Sequence, residues 1–484
     1  MSPEQRAWGW YDWACSAYAT TVGAVLFIPY LTSVAQRAAC GSLPDDCGAT
    51  LSVLGLTVDP GSLALYVVTL ATVLSALILP VVGAVADRSD SKRRLMGGFA
   101  WTGAAAAGAM FFVTGDNWQL GAVLLVVGNV ALGSSLAIYD AILCEIATPD
   151  ERDAVSSRAW GFGYLGGGIL LALNLALVTF SDEVGLSTST AVRISLASAG
   201  VWWAAFTVIP YLGIRDRPAR HVVDATSGSA TRASLTQLTT TLRQARSFPM
   251  TLTFLVAYLF YNDGIQTVIG TASLYGQEEL GFDTSVVIAT VLLVQFVAFG
   301  GALAFGAVAA RIGSRSTILG GLVVWIAVVL TAFALPAGQL IPFLALGAAI
   351  GIVMGGTQAL SRSLFSQLIP AGREAEYFAL YQAAERGTSW LGTLVFGVVH
   401  QMTGSYRPSI AALVLFFVVG LVLLLRVDVR RGINDAGNRV PQVVGRRAHR
   451  PSGNLVRPWF VDPSRRCCAS NGGRALPNTE DEHV

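Results

Sequence analysis

Charged side chains occur at a few positions inside long apolar runs of this sequence, and these are the side chains that could do chemistry. Residues 261–268 read YNDGIQTV and place Asp263 about halfway along one such run. An ionisable residue in hydrocarbon costs at least about 2.5 kcal/mol unless it meets water or a partner. Burial also favours the neutral form of a carboxyl group. We therefore expect Asp263 to meet a proton or the ammonium group of a solute.

The residues around Asp263 add hydrogen-bonding groups at the same depth. They are Tyr261, Asn262, Gln266 and Thr267. Asn-Asp-Gly is a turn signal in soluble proteins, and Gly264 allows a helix to bend or a ligand to approach its backbone. The stretch is interpreted as a break in a helix that binds a solute or a coupling ion. The alternative is that Asp263 only hydrogen-bonds a neighbouring helix.

A second set of polar residues lies in two other runs. Asp140 and Arg362 take nearly equivalent positions in the two halves of the chain, which predicts an ion pair or gate across a central cavity. In the alternative, Arg362 extends to the lipid headgroups. Ser16 and Thr20 recur at helical spacing and could line the cavity. Asp12 lies between two tryptophans, which favours anchoring at the membrane interface.

The elements that must position these groups are membrane-spanning helices. The chain has 484 residues, of which 53% are hydrophobic and 13% charged, and its mean hydropathy is +0.58. Apolar runs long enough to cross a bilayer fall near 10–34, 62–86, 95–115, 118–145, 159–181, 191–213, 250–275, 284–310, 316–335, 339–366, 377–400 and 406–426. The sequence therefore predicts an all-α membrane protein with twelve spans.

Orientation follows from the arginines between the spans, because basic residues resist translocation. With both termini cytoplasmic, the predicted outer side carries only Arg37, Arg193 and Arg407, and the inner loops carry all other basic residues between the spans. We expect a multi-pass protein of the cell (plasma) membrane. The outer loop after span 1 holds Cys40 and Cys47, which could form a disulfide or remain two thiols.

Two matches between the halves indicate an internal duplication. GAVADRSDSKRR at 83–94 matches GAVAARIGSRST at 306–317, and PDERDA at 149–154 matches PAGREA at 370–375. The matches lie at nearly one offset, which predicts two pseudo-symmetric six-helix bundles. The predicted units are a bundle at 1–213, a cytoplasmic linker at 214–249, a bundle at 250–427 and a disordered cytoplasmic tail at 428–484.

This layout, with a basic motif between spans 2 and 3, resembles the major facilitator superfamily. Four stretches are similar to the branch of the autophagy-related vacuolar amino-acid effluxers and their bacterial relatives: WYDWACSAYATTV (10–22), SRAWGFGYLGGG (157–168), YNDGIQTV (261–268) and GGTQALSRSLFSQLIP (355–370). The resemblance implies a secondary transporter in which spans 1, 4, 7 and 10 line a central cavity. It also suggests an amino-acid-like solute.

Gln358 lies in span 10, which the resemblance implies lines the cavity, and is expected to bind the solute or a coupling ion. The motif residues Gly83, Asp87 and Arg88 are expected to gate access. Asp87 ends span 2, where it could accept hydrogen bonds from the N-terminus of another helix; the family suggests span 11 as that partner. The basic residues of the motif also have a topological role.

Other function classes find little support in the residues. The single lysine, Lys92, does not stand in a nucleotide P-loop, and no His-Glu-x-x-His or Gly-x-Ser-x-Gly motif is present. We expect no enzyme activity, cofactor, metal or nucleic-acid partner, and a monomer that contacts a small solute, protons and lipid. The sequence thus predicts proton-coupled efflux by alternating access. The alternatives are an exporter of unrelated drug-like molecules, or a degenerate transporter that serves as a sensor or scaffold.

Overall fold

The computed structural model of the chain describes residues 1–41, 49–53, 55–218, 246–387 and 389–447. Helices dominate these residues, because backbone groups in hydrocarbon have no water to bind and must pair within their own segment. The predicted all-α fold is confirmed. A short antiparallel hairpin, Leu51–Val53 with Leu56–Val58, lies between spans 1 and 2 and was not predicted.

Six spans form the N-terminal half, called here the N-half. Span 1 consists of Pro3–Tyr18, a π-helical segment Ala19–Leu26, and Phe27–Cys40. Spans 2 to 6 are Pro60–Asp87, Lys92–Ala109 with a 3-10 turn Met110–Phe112, Trp118–Ile146, Arg152–Thr179 and Thr188–Gly213.

The second half, called the C-half, follows the same plan. Spans 7 to 10 are Pro249–Leu274, Thr284–Ile312, Ser314–Ala334 and Leu340–Leu368. Span 11 has two segments, Glu374–Gly387 and Ser389–Thr403, and span 12 comprises Tyr406–Ala412 and Val414–Arg426. A π-helical segment, Tyr275–Glu279, follows span 7.

Local capping signals explain where two of the spans begin. Ser2 accepts a hydrogen bond from the Gln5 backbone, and the Gln5 side chain binds back to Ser2, so span 1 starts at Pro3 rather than near residue 10. Asp59, directly before Pro60, accepts a hydrogen bond from the Ser62 backbone N–H and so caps span 2.

Apolar surface confirms that the chain is a multi-pass membrane protein. Ten helices in the described part are long and apolar enough to cross a bilayer. The predicted spans 7 and 11 are not among them. Polar residues at 261–267 lower the hydropathy of span 7, and the two described segments of span 11 have only 14 and 15 residues. Large apolar side chains point outward along the spans, including Leu77 at 66% and Val201 at 67% exposure. Such a surface is expected only where lipid covers it.

The ends of the spans form two faces. The basic face contains the start of span 1, the loops 88–91 and 147–151, and the end of span 12; the opposite face contains the hairpin. The halves pack through spans 2 and 11, 5 and 8, 5 and 10, and 4 and 11. Most of the polar contacts described below lie toward the basic face.

The prediction that the tail is disordered from residue 428 is wrong for the first part of the tail. Val429–Asp435 and Gln442–Arg447 are helical and lie on the basic face. Asn438 donates hydrogen bonds to the carbonyls of Gln367 (2.9 Å) and Ile369 (2.7 Å) at the end of span 10. Carbonyl groups at the end of a helix lack hydrogen-bond partners within that helix. The Asn438 side chain supplies these partners and so holds the tail against span 10. Residues 448–484 lie outside the described residues, as do 219–245 of the predicted linker.

The predicted cysteine pair is only partly described. Cys40 forms a disulfide, whereas Cys47, its predicted partner, lies outside the described residues. Cys15 and Cys144 are free thiols inside spans 1 and 4.

Candidate functional site

Arg362 is the centre of a buried ion-pair cluster between the two halves. It comes from span 10 of the C-half and is 2% exposed. Its Nη2 atom lies 2.9 Å from Asp12 Oδ2, and its Nη1 atom lies 3.3 Å from Asp140 Oδ1. Arg362 Nε also donates to Ser156 Oγ at 2.9 Å. Both carboxylates and the serine belong to the N-half, so the guanidinium joins the halves.

Aromatic rings of the N-half complete the surroundings of the guanidinium. Its central carbon lies 4.9 Å from the Trp8 ring, 5.4 Å from the Tyr139 ring and 5.3 Å from the Trp160 ring. These distances are within the range of cation–π attraction. The Trp8 and Tyr139 rings stack at 4.3 Å, and Trp8 Nε1 donates to Tyr139 O at 2.8 Å.

The cluster continues from Asp140 into span 11. Gln382 Nε2 donates to Asp140 Oδ2 at 2.8 Å, and Arg386 Nη1 donates to Gln382 Oε1 at 2.6 Å. On the neighbouring turn, Tyr258 of span 7 donates to Glu385 at 3.0 Å. The formal charge of Asp12, Asp140 and Arg362 together is −1, and Arg386 approaches this group through a neutral amide.

The predicted contact between Asp87 and span 11 is confirmed. Asp87 accepts hydrogen bonds from the backbone N–H groups of Ala375 (2.9 Å) and Glu376 (2.8 Å), at the first turn of span 11. These N–H groups lack partners within their helix and carry the positive end of its dipole. Gly83 allows this approach, because a Cβ there would lie 2.5 Å from Ala375 O. Arg88 follows at the end of span 2 and is half-buried.

The repeated Pro-Asp-Glu-Arg-Asp-Ala stretch also joins the halves. Arg152 donates from Nη1 to the Ser366 carbonyl at 2.7 Å. Asp153 accepts hydrogen bonds from Ser314 at 2.7 Å and from Ser363. Lys92 lies 3.3 Å from Asp87 and 2.8 Å from Glu145 on the same face. The basic face is therefore closed by charged and polar contacts between the halves.

An apolar cavity lies between the halves toward the opposite face. Its volume is about 130 Å³, and both halves contribute to its lining. The residues with polar groups in this lining are Thr20, Ser273, Tyr275, Thr290 and Gln295. The π-helical segment of span 1 supplies Thr20, Ala24 and Val25. The structure thus has a cavity on one side of the closed interface.

The predicted helix break at residues 262–264 is wrong. Pro249–Leu274 is one uninterrupted helix, because a break in hydrocarbon would leave backbone groups unpaired. Gly264 instead accommodates Phe417, whose ring would lie 3.1 Å from a Cβ at this position. Asp263 is 1% exposed and accepts a hydrogen bond from Gly392 N of span 11 at 2.9 Å. It does not line the apolar cavity.

The neighbours of Asp263 lie between helices. Tyr261 and Ser361 share a hydrogen bond of 2.6 Å, and Gln266 is half-buried. Among the described residues, no hydrogen-bond partner reaches Asp263 Oδ1, Asn262 Oδ1 or Thr267 Oγ1. Span 7 therefore carries buried polar atoms whose hydrogen-bonding capacity is unused in this conformation.

The remaining predicted residues divide between the cavity and helix contacts. Thr20 lines the cavity, but Ser16 does not, because its hydroxyl packs over Gly163 of span 5. Gln358 accepts a hydrogen bond from Tyr164 of span 5 and so also joins the halves.

Two interpretations of charged residues change. Asp12 is not an interfacial anchor; it is 5% exposed and pairs with Arg362, because an arginine from the other half reaches it. Arg362 does not extend to the headgroups, and its predicted ion pair with Asp140 is confirmed. Sequence reasoning missed Trp8, Trp160 and Gln382, whose role depends on contacts between spans distant in sequence.

Comparison with known proteins agrees with this architecture. The family model "Vacuole effluxer Atg22 like" matches residues 2–437. The MFS-type transporter YxiO of Bacillus subtilis is 27% identical over 448 residues, which cover 90% of this chain and 98% of that protein. Autophagy-related protein 22-1 of Phaeosphaeria nodorum is 28% identical over 450 residues, covering 80% of this chain and 79% of that protein.

Solved structures share the fold at low sequence identity. The proton:xylose symporter XylE has a TM-score of 0.67 at 12% identity, covering 88% of this chain and 95% of that chain. FucP in its outward conformation has a TM-score of 0.59 at 14% identity, covering 87% and 97%. With its two bundles, its closed basic face and the match over residues 2–437, the chain belongs to the Atg22-like family of major facilitator transporters.

Proposed function

We propose that the chain is a secondary active transporter that moves a small solute, an amino acid or a related metabolite, by alternating access coupled to protons. The observation that carries this proposal is the cavity between the halves beside an interface closed by buried ion pairs. Opening the basic face requires these contacts to separate. Opening of the basic face together with closure of the opposite face would then give the solute access to the other side of the membrane.

Proton coupling is supported by the charges that must separate. Asp12 and Asp140 are nearly completely buried and share one arginine. A buried ion whose partner is removed carries a penalty of about 3–5 kcal/mol. A proton or a cationic solute that reaches a carboxylate would lower this penalty and favour opening. The two carboxylates are thus suited to couple ligand binding to the movement of the halves.

Asp263 remains a predicted solute or proton site of the second state. Its free oxygen, together with Asn262 and Thr267, would gain partners if span 11 moved and admitted a ligand. The apolar cavity lining suits an apolar solute side chain. The same lining would also suit a drug-like molecule, so both classes belong in the test.

Orientation and location are part of the proposal. The excess of arginines on the basic face supports a cytoplasmic position of that face and of both termini. Efflux would then carry solute from the basic face to the opposite face. The plasma-membrane location and the monomeric state stay predictions; the matching family is described by a vacuolar activity.

The test is transport by the purified full chain in liposomes. We expect radiolabelled uptake of at least one amino acid from a panel of neutral, acidic and basic amino acids, dipeptides and a cationic dye. We expect the initial rate to change when a pH gradient is imposed and to return when an uncoupler removes it. Asp140→Asn should reduce the pH response, whereas the Arg407→Gln control at the opposite face should keep it. Absence of any movement would favour the sensor or scaffold alternative.

A further inference from the structure

The groups that hold the Arg362 guanidinium form a site that belongs to one half alone. This site, called here the N-half cage, consists of Trp8, Asp12, Tyr139, Asp140, Ser156 and Trp160 from spans 1, 4 and 5. Arg362 is a side chain of the C-half that occupies it. The cage and its occupant must separate whenever the basic face opens.

The cage has contacts that do not depend on the C-half. Trp8 stacks on Tyr139 at 4.3 Å, and its indole N–H donates to the Tyr139 carbonyl at 2.8 Å. Spans 1 and 5 pack closely against each other. Movement of the C-half would remove Arg362 from the cage and Gln382 from Asp140. The aromatic walls and both carboxylates would stay together.

An empty cage would be electrostatically unfavourable. Two carboxylates, on residues that are 5% and 1% exposed, would lose their shared cation. Three aromatic rings within 5.4 Å of the guanidinium carbon, and two carboxylates, recognise a guanidinium or ammonium group. The vacated cage therefore has the chemistry of a cation site.

Two unused donors in the cage walls extend this chemistry. The Tyr139 hydroxyl and the Trp160 indole N–H are buried and have no hydrogen-bond partner among the described residues. Tyr139 is fully buried. Buried hydrogen-bond donors normally have an acceptor. These two donors without one are therefore candidates to bind an acceptor atom of a ligand. A carboxylate or carbonyl of the same solute would supply it.

We propose that the N-half cage is the cation subsite of the transporter, which binds the side-chain guanidinium or side-chain ammonium group of a basic solute when the basic face is open. The proposal rests on the proposed function for the separation of the halves. Arg362 then acts as a tethered competitor that occupies the subsite when the basic face closes. Asp12 and Thr20 lie two turns apart on span 1, about 12 Å in helical rise, so a solute leaving the cage can reach the apolar cavity along this span.

Chemical rescue tests the cage directly. Arg362→Ala removes the tethered guanidinium and leaves space for a free one. We expect up to 20 mM guanidinium chloride to raise the unfolding temperature of this variant saturably, by about 2 °C or more. Urea, a neutral molecule of nearly the same shape, should not. A triple variant that adds Asp12→Asn and Asp140→Asn should lose the response. Equal effects of guanidinium and urea would overturn the proposal.

Solute binding to the unmodified chain provides a second test if Arg362→Ala does not fold. L-Arginine and L-citrulline differ mainly in the charge of the terminal group. We expect L-arginine to bind the purified protein at least about tenfold more tightly than L-citrulline, and Asp140→Asn to remove most of this preference. Glu279→Gln is the matched control, because it removes a carboxylate that pairs with Arg407 at 2.9 Å outside the cage. Equal binding of the two solutes would contradict the subsite.

The outcomes separate this proposal from the proposed function. Transport of neutral amino acids without preference for L-arginine would overturn the cation subsite and leave the transporter proposal standing. Guanidinium rescue in a protein that moves no solute would leave the cage standing and overturn transport.

Discussion

Under the proposed alternating access, replacement of Arg362 by alanine should change the balance between the closed and open states of the basic face. In the closed state, Asp12 and Asp140 are buried and share this arginine at 2.9 and 3.3 Å. Removal of one partner from a buried pair costs about 3–5 kcal/mol. In the open state the partners are already apart, so the cost falls on the closed state. The closed-to-open ratio should therefore decrease by about 150- to 4,000-fold.

Spin labels across the basic face measure this shift. Arg158 of span 5 and Arg311 of span 8 are exposed and lie on neighbouring spans of opposite halves. Spin labels attached to cysteines at these two positions, in a background without other free thiols, report the distance between the halves by pulsed electron paramagnetic resonance. We expect Arg362→Ala to increase the long-distance population at neutral pH. Adding Asp12→Asn and Asp140→Asn should restore the short distance, because both carboxylate charges are then removed.

The control variant removes an arginine from a different ion pair. Arg407 lies 2.9 Å from Glu279, and both residues belong to the C-half. Arg407→Gln should leave the distance between the labels unchanged. If Arg362→Ala also left it unchanged, the buried cluster would not hold the basic face closed, and the argument from desolvation would be refuted.

Three further predictions concern stability. Gly83→Ala places a Cβ 2.5 Å from the Ala375 carbonyl oxygen, whereas a Cβ at Gly98 meets nothing within 4 Å. We expect Gly83→Ala to cost about 1–3 kcal/mol of stability and Gly98→Ala to leave the unfolding temperature unchanged. Equal losses in the two variants would contradict the close contact between spans 2 and 11. Burial raises the pKa of Glu279, but hydrogen bonds from the Tyr406 backbone and the Arg407 side chain outweigh burial and hold this pKa below its usual 4.5. A lowered folded-state pKa contributes stability above the unfolded-state value and loses it as the pH falls through the folded-state pKa, so Glu279→Gln should cost about 1–2 kcal/mol at pH 7. The difference between variant and parent in thermal melts should shrink as the pH falls below 4.5. A pH-independent difference would contradict this assignment. Asn438→Ala removes hydrogen bonds of 2.9 and 2.7 Å to the end of span 10 and should lower the stability in thermal unfolding by about 1–2 kcal/mol. Replacement of the exposed Asn434 by alanine is the control and should have no effect. An unchanged stability of Asn438→Ala would mean that the tail does not stabilise the fold.

Much of the fold follows from local pattern. Apolar runs and the repeated Gly-Ala-Val-Ala motif predict helices and duplication, since lipid accepts only internally hydrogen-bonded segments. The motif also predicts the contact of Asp87 with span 11, because a helix N-terminus attracts a carboxylate. Gly264, in contrast, was misinterpreted. The Phe417 ring that it accommodates comes from span 12, and no local signal reveals that neighbour.

The candidate site divides in the same way. The pair of Asp140 and Arg362 could be predicted from the repeat, because equivalent positions of related bundles approach a common axis. The pairing of Asp12 with Arg362 could not be predicted, since the tryptophans on either side of Asp12 are typical of a membrane–water interface. Trp8, Ser156 and Gln382 join the site only through contacts between spans separated by more than a hundred residues.

The sequence by itself determined that this is a lipid-embedded bundle of two related halves with few charges inside, because the cost of burying a charge acts at every position independently. Only the tertiary structure decided which of these charges face one another. The sequence around Arg362 is equally compatible with a side chain that extends to the headgroups and with one buried in a closed interface. The buried position depends on two carboxylates and three aromatic rings that approach it from the N-half.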